Sequence, residues 1–310
     1  MTPTLTVIPV PGHGAEDVLV DAEGWVLTGT DDGAVHRVRP DGGRIDRVGQ
    51  TGGRPLGLEL LPDGRVLVCD AHRGLLALDT GSGRVEELVT RVEGQRMRFC
   101  NNAAVTGDGE IWFTDSSRFF GIEQWRADLV EDTASGRLLR RTTDGAVEVV
   151  LEGLRFANGV ALSGAGDFVA VAETAGRTVL RRWVTGERAG QVDHLVTDLP
   201  GYPDNIARGS DGLIWVTIAS PKDPVLERLV RAPLRVRRLA WRLPQRLQPQ
   251  PRRTVRVMAF DDEGRTVRDW SLDASSYRMV TGVREHHGRV WLGSLEQPAI
   301  AFFEPGPGRA

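Results

Sequence analysis

Residues 107–115 read GDGEIWFTD, in which a turn glycine stands between two segments that can pair as short strands. The same phrase occurs five more times along the chain, as DAEGWVLTG (21–29), PDGRVLVCD (62–70), GAGDFVAVAE (164–173), SDGLIWVTIA (210–219) and HHGRVWLGS (286–294). Glycine tolerates the positive φ angle that tight hairpin turns require. Each phrase therefore predicts a β-hairpin.

The spacing of the turn glycines predicts the architecture. They are Gly24, Gly64, Gly109, Gly166, Gly212 and Gly288. The shortest spacing, 40 residues, matches one four-stranded propeller blade, and the longer spacings leave room for insertions. A helical solenoid would need a 3.6-residue period, whereas these apolar runs alternate with period two or are short and wholly apolar. The sequence thus predicts an all-β, six-bladed β-propeller with a central channel, as a single domain over residues 1–310.

Composition limits the partners and the location. The formal net charge of −3 gives no general attraction to nucleic acid, so we expect no nucleic-acid partner. The chain has no apolar run of about 18 residues, and its first residues lack a signal-peptide pattern, so we expect a cytoplasmic protein. Cys69 and Cys100 are too few for a disulfide scaffold, and we expect buried thiols, with a single bridge as the alternative.

A ring of polar residues is predicted at one end of the channel. The innermost strand of each blade lines the channel, so residues at a fixed offset before the turn glycines should meet around the axis. Eight residues before those glycines stand Glu16, Leu56, Asn101, Asn158, Asp204 and Val280. All four asparagines of the chain, including Asn102 and Asn205, occupy one of these ring positions or the position after it.

The chemistry of the ring points to a metal ion. Carboxylate and amide oxygens without cysteine or histidine suit a hard cation, and a flexible set of oxygens favours Ca²⁺ over Mg²⁺. The candidate ligands are Glu16, Asn101, Asn158 and Asp204. The two apolar positions leave a side on which the organic part of a substrate could rest. The alternative is that the polar residues only cap strand ends through local hydrogen bonds.

Further candidate groups lie where the second strand of each hairpin returns toward the ring. Asp70, Asp115 and Glu173 follow their turn glycines by six or seven residues, and they are candidate general bases or groups that orient the ligands. Four histidines are candidate proton carriers, namely His13, His72, His286 and His287. The alternatives are hydrogen-bonded strand ends and solvated loop histidines.

Five phrases spread along the chain carry a family resemblance. They are RPLGL (54–58), FTDSS (113–117), FANGV (156–160), VAET (171–174) and GYPDNI (201–206). In these phrases the chain resembles, nearly end to end, the calcium-dependent propeller superfamily of strictosidine synthase-like proteins, senescence-marker-type gluconolactonases and paraoxonases. The phrases lie closest to the strictosidine synthase-like branch that includes adipocyte plasma membrane-associated protein.

The resemblance implies a ligand set. It implies one calcium ion held by Glu16, Asn101, Asn158 and Asp204, with a further oxygen from Asn205. Paraoxonases also hold a second, structural calcium through aspartates that follow the first two ligands. Asp17 is present here, but Asn102 stands at the other position, so we expect only one ion.

The resemblance also bears on the reaction. Strictosidine synthases use a glutamate shortly before a Glu-His-x-Gly phrase, which here spans residues 285–288. The matching earlier position is Thr281, so the resemblance does not support a Pictet–Spengler condensation.

The longest spacing contains a basic insertion. Residues 221–253 hold ten basic and two acidic residues, with leucine, valine and tryptophan interspersed. We expect a partly helical lid over the channel. Contact with an anionic membrane surface and a solvated surface insertion are the alternatives.

Together these features predict a calcium-dependent hydrolase of a lactone or ester, with a small-molecule substrate. Ca²⁺ would act as a Lewis acid, and Asp204 or Asp70 would be the general base, with His72 and Glu173 as further candidates. Two alternatives stay open. One is a non-hydrolytic cyclisation or condensation enzyme, and the other is a binding propeller with structural calcium.

Overall fold

The computed structural model describes residues 3–243, 248 and 250–306. Six four-stranded antiparallel sheets form a six-bladed propeller, which confirms the predicted fold class. All six turn glycines have the positive φ that the hairpin prediction required, between 70° and 95°.

The strands follow one another blade by blade. In chain order they are β1 (Thr6–Pro9); β2–β5 of blade 1 (Leu19–Val20, Val26–Gly29, Ala34–Val38, Ile45–Gln50); β6–β9 of blade 2 (Pro55–Leu60, Val66–Asp70, Gly74–Leu78, Val85–Val89); the hairpin β10–β11 (Arg91–Val92, Gln95–Arg96); β12–β15 of blade 3 (Cys100–Val105, Ile111–Asp115, Gly136–Arg141, Val147–Leu154); β16–β19 of blade 4 (Ala157–Leu162, Phe168–Glu173, Thr178–Trp183, Val192–Val196); β20–β23 of blade 5 (Gly201–Arg208, Ile214–Pro221, Val255–Phe260, Thr266–Leu272); and β24–β26 of blade 6 (Val280–His286, Arg289–Ser294, Ala299–Phe303).

The first strand of the chain completes the last blade. Blade 6 has the strand order β24-β25-β26-β1, and Thr6 pairs with Phe302 while Pro9 pairs with Ala299. The ring of blades is therefore closed by hydrogen bonds between the two ends of the propeller.

The hydrophobic core is divided among the blade interfaces. Six clusters of buried apolar side chains each span two neighbouring blades, including the pair formed by blades 6 and 1. Trp215, Phe168 and Phe113 are among the fully or almost fully buried side chains. Burying a large apolar side chain contributes about 1.5–3 kcal/mol. Because these side chains are buried at the contacts between blades, each blade is stabilised mainly by packing against its neighbours. Cys69 and Cys100 are free thiols buried between blades 2 and 3.

The innermost strand has the same irregularity in five blades. In blade 3, Cys100 pairs with Asp115 and Ala103 pairs with Phe113, so three steps on one strand match two on the other. Blades 2, 4, 5 and 6 have the same β-bulge. A bulge bends its strand and re-aims side chains. It therefore sets the direction of the residues at the predicted ring.

Two insertions place helices beside the channel. The first contains a 3₁₀ turn (Ile122–Gln124) and helix α1 (Trp125–Glu131), between the second and third strands of blade 3. The second contains α2 (Pro224–Leu229) and α3 (Leu234–Trp241), between the second and third strands of blade 5. The partly helical insertion predicted over 221–253 is thus confirmed, although residues 244–247 and 249 lie outside the described residues.

The helices are anchored by polar contacts. The Asp223 side chain caps α2, accepting hydrogen bonds from the amides of Val225 at 2.7 Å and Leu226 at 3.2 Å. Arg238 of α3 pairs with Glu131 of α1 at 3.0 Å. No helix in the described part of the chain is long and apolar enough to span a membrane.

Candidate metal centre

The bulges place the predicted ring residues at equivalent positions. Asn101, Asn158 and Asp204 are each the first of the two residues between the flanking pairs of their bulge. In blade 6 this place belongs to Thr281, and the ring position predicted for Val280 is wrong. The blade 6 hairpin has a two-residue turn between His286 and Arg289, which shortens the offset by one residue. Val280 is instead buried in the core between blades 5 and 6.

Glu16 comes from the segment that precedes β2, and its side chain is only 3% exposed. The Asn205 amide donates to both Glu16 carboxylate oxygens, at 3.2 and 3.3 Å. Thr281 donates to the Glu16 backbone carbonyl at 2.7 Å. Hydrogen bonds to Glu16 of blade 1 therefore join this blade to blades 5 and 6.

The side-chain amides of Asn101, Asn158 and Asn205 are each oriented by hydrogen bonds that the amide nitrogen donates. Asn101 donates to the Ser116 hydroxyl at 2.9 Å, and Asn158 donates to the Thr174 hydroxyl at 3.1 Å. The oxygen atoms Oδ1 of Asn101, Asn158 and Asn205 are all buried and have no hydrogen-bond partner among the described residues. An unsatisfied buried acceptor costs about 1–3 kcal/mol. Three of them beside two carboxylates fit the oxygen ligands of a hard cation.

The carboxyl groups of Glu16 and Asp204 lie close to each other, and both burial and mutual repulsion disfavour their ionised forms. Burial, with Asp17 and Asp204 nearby, raises the pKa of Glu16 well above its usual value. Burial raises the pKa of Asp204 to about 7, against a hydrogen bond from Asn158. A divalent cation at this position would offset the repulsion among these groups.

A second ring lies directly beside the first. It consists of the second residue of each bulge, together with Asp17, which follows Glu16 in blade 1. Polar and glycine residues alternate around it. Blades 1, 3 and 5 carry Asp17, Asn102 and Asn205, and blades 2, 4 and 6 carry Gly57, Gly159 and Gly282. A Cβ atom on any of these glycines would lie 2.6–2.8 Å from atoms of the polar residue in the next blade. Glycine is required because neighbouring backbones approach closely here.

Asp17 and Asn102 link blades through their side chains. The Asp17 carboxylate accepts from the Leu58 amide, and the Asn102 amide oxygen accepts from the Val160 amide, both at 3.0 Å. Burial raises the pKa of Asp17 to about 6, although Arg284 acts against this shift. Both side chains thus fasten one inner strand to the next.

The strand-end acids bind backbone amides. One Asp70 oxygen accepts from the amides of Arg54, His72 and Arg73 at 2.9–3.0 Å, and Glu173 accepts from the Arg155 amide at 2.8 Å. These bonds hold the loops at the ends of the second strands.

Asp115 accepts from the Phe99 amide at 3.1 Å and pairs with Arg137 at 2.6 Å. His72 pairs with Glu123 at the surface, at 2.6 Å. His286 and His287 lie at the blade 6 turn, at the other end of the inner strand from the ring. As far as the structure describes the chain, Asp70, His72 and Glu173 do not line the pocket above the ring.

We expect the substitution Asp70→Ala to lower stability without removing activity. It deletes an acceptor of three backbone hydrogen bonds, which should reduce the free energy of unfolding by about 1–3 kcal/mol. Chemical denaturation measures the stability, and steady-state kinetics with a p-nitrophenyl ester measures the activity. The exposed Asp63→Ala variant in the blade 2 turn is the control and should change stability by less than about 0.5 kcal/mol. A well-folded Asp70→Ala protein without turnover would instead make Asp70 a catalytic base.

A pocket opens above the ring. Glu16, Asn101, Asn158, Asp204 and Thr281 form its polar floor. Its walls are mainly apolar and include Leu56, Phe99, Trp125, Leu129, Phe156 and Leu226. The pocket has about 840 Å³ of space, counting the part open to solvent. Helices α1 and α2 contribute side chains to the walls, so both insertions border the polar floor.

Two features were not predicted from the sequence, namely the hydroxyl groups that orient the candidate ligands and the apolar wall from α1. A signal for the hydroxyls was present, because Ser116 and Thr174 directly follow the strand-end acids Asp115 and Glu173. Within the described ranges, no three His, Cys, Asp or Glu side chains are grouped as a metal site. The candidate centre therefore depends on amide oxygens in addition to its carboxylates.

Comparison with known proteins gives consistent relatives. The family model described as SMP-30/Gluconolactonase/LRE-like region matches residues 17–228. Human adipocyte plasma membrane-associated protein is 35% identical over 303 aligned residues, covering 89% of this chain and 71% of that protein. Strictosidine synthase-like 10 from Arabidopsis thaliana is 34% identical over 265 residues, covering 81% of this chain and 70% of that protein.

Solved structures share the fold at lower identity. A gluconolactonase from Xanthomonas campestris aligns with a TM-score of 0.71 and 16% identity, covering 97% of this chain and 89% of that chain. The calcium-binding protein regucalcin from Agrobacterium tumefaciens aligns with a TM-score of 0.66 and 14% identity, covering 95% and 90%. These likenesses concern the propeller architecture.

Proposed function

Because this chain belongs to the SMP-30/gluconolactonase/LRE-like family, we propose that it is a calcium-dependent hydrolase of a lactone or ester. One observation carries the proposal. The buried amide oxygens of Asn101 and Asn158, which have no hydrogen-bond partner among the described residues, lie with two carboxylates at the floor of a pocket. A third such oxygen belongs to Asn205, whose amide nitrogen donates to Glu16. The relatives named for gluconolactonase activity and calcium binding support it.

The proposed ligands are Glu16, Asn101, Asn158, Asp204 and Asn205. All five supply oxygen, which suits calcium better than a metal that prefers nitrogen or sulfur. When bound, calcium would polarise the carbonyl group of the substrate as a Lewis acid. Thr281 and the hydroxyls of Ser116 and Thr174 hold the surrounding groups in position.

Asp204 is the proposed general base. It is the partly exposed carboxylate of the pocket floor, whereas Glu16 is almost fully buried. In the proposed reaction Asp204 accepts a proton from water as the water oxygen bonds to the carbonyl carbon. The bond from that carbon to the ester oxygen then breaks, and the proton passes to the leaving oxygen. Asp70 and Glu173 accept hydrogen bonds from backbone amides and do not line the pocket in the described part of the chain, so Asp204 is the better candidate for the general base.

The walls favour a substrate with an apolar acyl or aryl portion. Phe99 and Phe156 pack edge to face with their ring centroids 5.4 Å apart, and Leu56 lies beside them. Trp125, Leu129 and Leu226 extend the apolar wall upward from the insertions. A polyhydroxylated lactone would lose hydrogen bonds to water against these side chains. We therefore propose that the helices form a lid that selects apolar substrates.

Hydrolysis should become more efficient as the acyl chain lengthens. Each buried methylene contributes about 0.8 kcal/mol, so we expect kcat/KM to rise about fourfold per methylene until the pocket is full. A series of p-nitrophenyl esters and γ-lactones, with glucono-δ-lactone for comparison, measures this. Leu226→Ser should flatten the series, and Leu229→Ser on the same helix is the matched control. Faster hydrolysis of glucono-δ-lactone than of any longer-chain lactone would contradict the apolar assignment.

The same assay separates the alternative functions. Mass spectrometry of a hydrolysed lactone shows the addition of one water, which a cyclisation or condensation product lacks. A binding propeller with structural calcium would show calcium-dependent stabilisation without turnover.

A further inference from the structure

A second cavity lies on blades 2 and 3, apart from the pocket above the ring. It has about 1110 Å³ of space, counting the part open to solvent. A short segment separates the two, because Phe99 and Ile122 face the pocket, whereas their neighbours Arg98 and Gly121 face the cavity. The cavity is therefore distinct from the candidate metal centre.

Four arginines line this cavity, and we call it the basic cavity. They are Arg96, Arg98, Arg118 and Arg137. Asp115 is the one acidic residue among the described side chains that line it. The excess of positive charge is unusual for a chain with a net charge of −3.

Arg137 is the buried member of the set. It is 3% exposed, and one of its terminal nitrogens donates to Asp115 at 2.6 Å. The other terminal nitrogen lies 3.7 Å from the exposed Glu93 carboxylate. Its Nε is buried and has no hydrogen-bond partner within the described residues. A buried donor without a partner is costly, and a bound acceptor would satisfy it.

The other three guanidinium groups form few hydrogen bonds or ion pairs with described residues. Arg98 is exposed and forms no ion pair with a described residue. Arg118 lies 3.6 Å from Glu152, which is longer than a hydrogen bond, and Arg96 donates to the His72 carbonyl at 3.0 Å.

The nearby acids do not neutralise the cavity. Glu93, Glu123 and Glu152 are near it, and their side chains are 57–67% exposed, so water screens their charges. Glu123 is also paired with His72.

We propose that the basic cavity is a binding site for a small anion that bears a phosphate or a carboxylate group. Planar guanidinium groups bind both groups through paired hydrogen bonds. Arg137 forms the floor of the site, and Arg98 and Arg118 approach the anion from the solvent side. The proposal is independent of the hydrolase reaction, because no cavity residue belongs to the proposed catalytic group.

Calorimetric titration of the full chain with inorganic phosphate, and separately with succinate, tests the site at low ionic strength. We expect saturable binding of at least one of these anions. The double variant Arg98→Glu, Arg118→Glu should bind at least about tenfold more weakly, because it reverses two charges. Among the described residues, Arg98 forms no ion pair and Arg118 has only the long contact with the exposed Glu152. Their replacement should therefore not disturb folding, and thermal melting checks this.

Arg91→Glu lies on the hairpin that carries Arg96 but outside the cavity, and this control should keep the affinity of the unmodified protein. Binding of phosphate alone or of succinate alone would identify the class of ligand. Absence of saturable binding for both anions would overturn the proposal. Equal weakening in the double variant and in Arg91→Glu would also overturn it, because it would indicate attraction to the surface as a whole.

Discussion

Removal of calcium with EGTA is expected to abolish ester and lactone hydrolysis, and addition of excess calcium is expected to restore it. The reason lies at and beside the pocket floor, where the amide oxygens of Asn101, Asn158 and Asn205 have no hydrogen-bond partner among the residues that the structure describes. The substitution Asn158→Ala removes one of these oxygens. We expect calcium affinity to fall by about 10- to 100-fold or more, with a parallel loss of kcat/KM at limiting calcium.

Isothermal titration with calcium and steady-state kinetics measure the two effects separately. Asn158→Asp retains an oxygen at the same place and is the matched control, which should still bind calcium. Full activity in excess EGTA would exclude the metal from the reaction. Calcium binding that is unchanged in Asn158→Ala would remove Asn158 from the ligand set.

The substitution Gly159→Ala is expected to destabilise the propeller strongly. The added Cβ atom would lie 2.6 Å from the Asn205 carbonyl carbon and 2.7 Å from its Cα atom, and closer still to the Ile206 nitrogen. These are backbone atoms of the next inner strand, which cannot move without separating blades 4 and 5. We expect the free energy of unfolding to fall by about 3 kcal/mol or more.

Thermal and denaturant unfolding measure this loss. Gly107→Ala is the matched control, because its Cβ atom would meet open space and its φ is not positive. The control should change stability by less than about 0.5 kcal/mol. If the two variants unfold alike, the close approach of the inner strands is not what requires glycine at position 159.

Local turn chemistry made the fold predictable from the sequence. Each hairpin depends on a glycine with positive φ and on adjacent apolar runs, and both are visible in the amino-acid order. Counting from the glycines also located Asn101, Asn158 and Asp204, because these three blades keep the same offset. It failed for Val280, since the two-residue turn of blade 6 changes the offset.

Other features depend on contacts between distant parts of the chain. The sequence shows that Asp70 ends a strand, but not that its carboxylate turns toward the amides of Arg54 and His72. Likewise, the reason for glycine at positions 57, 159 and 282 is the close approach of the next inner strand. This contact between blades is not visible in the sequence. The ligand roles of the ring residues stay a prediction until calcium binding is measured.

The pairing of β1 with β26 has a consequence for how the chain reaches this structure. Blades 1 to 5 are each built from one continuous segment, so each can form as soon as its segment is available. Blade 6 must wait, because Thr6–Pro9 pairs with strand residues near position 300. Joining points so far apart in sequence is entropically costly and slow. On a ribosome, therefore, β1 stays unpaired with β26 until almost all of the propeller has emerged.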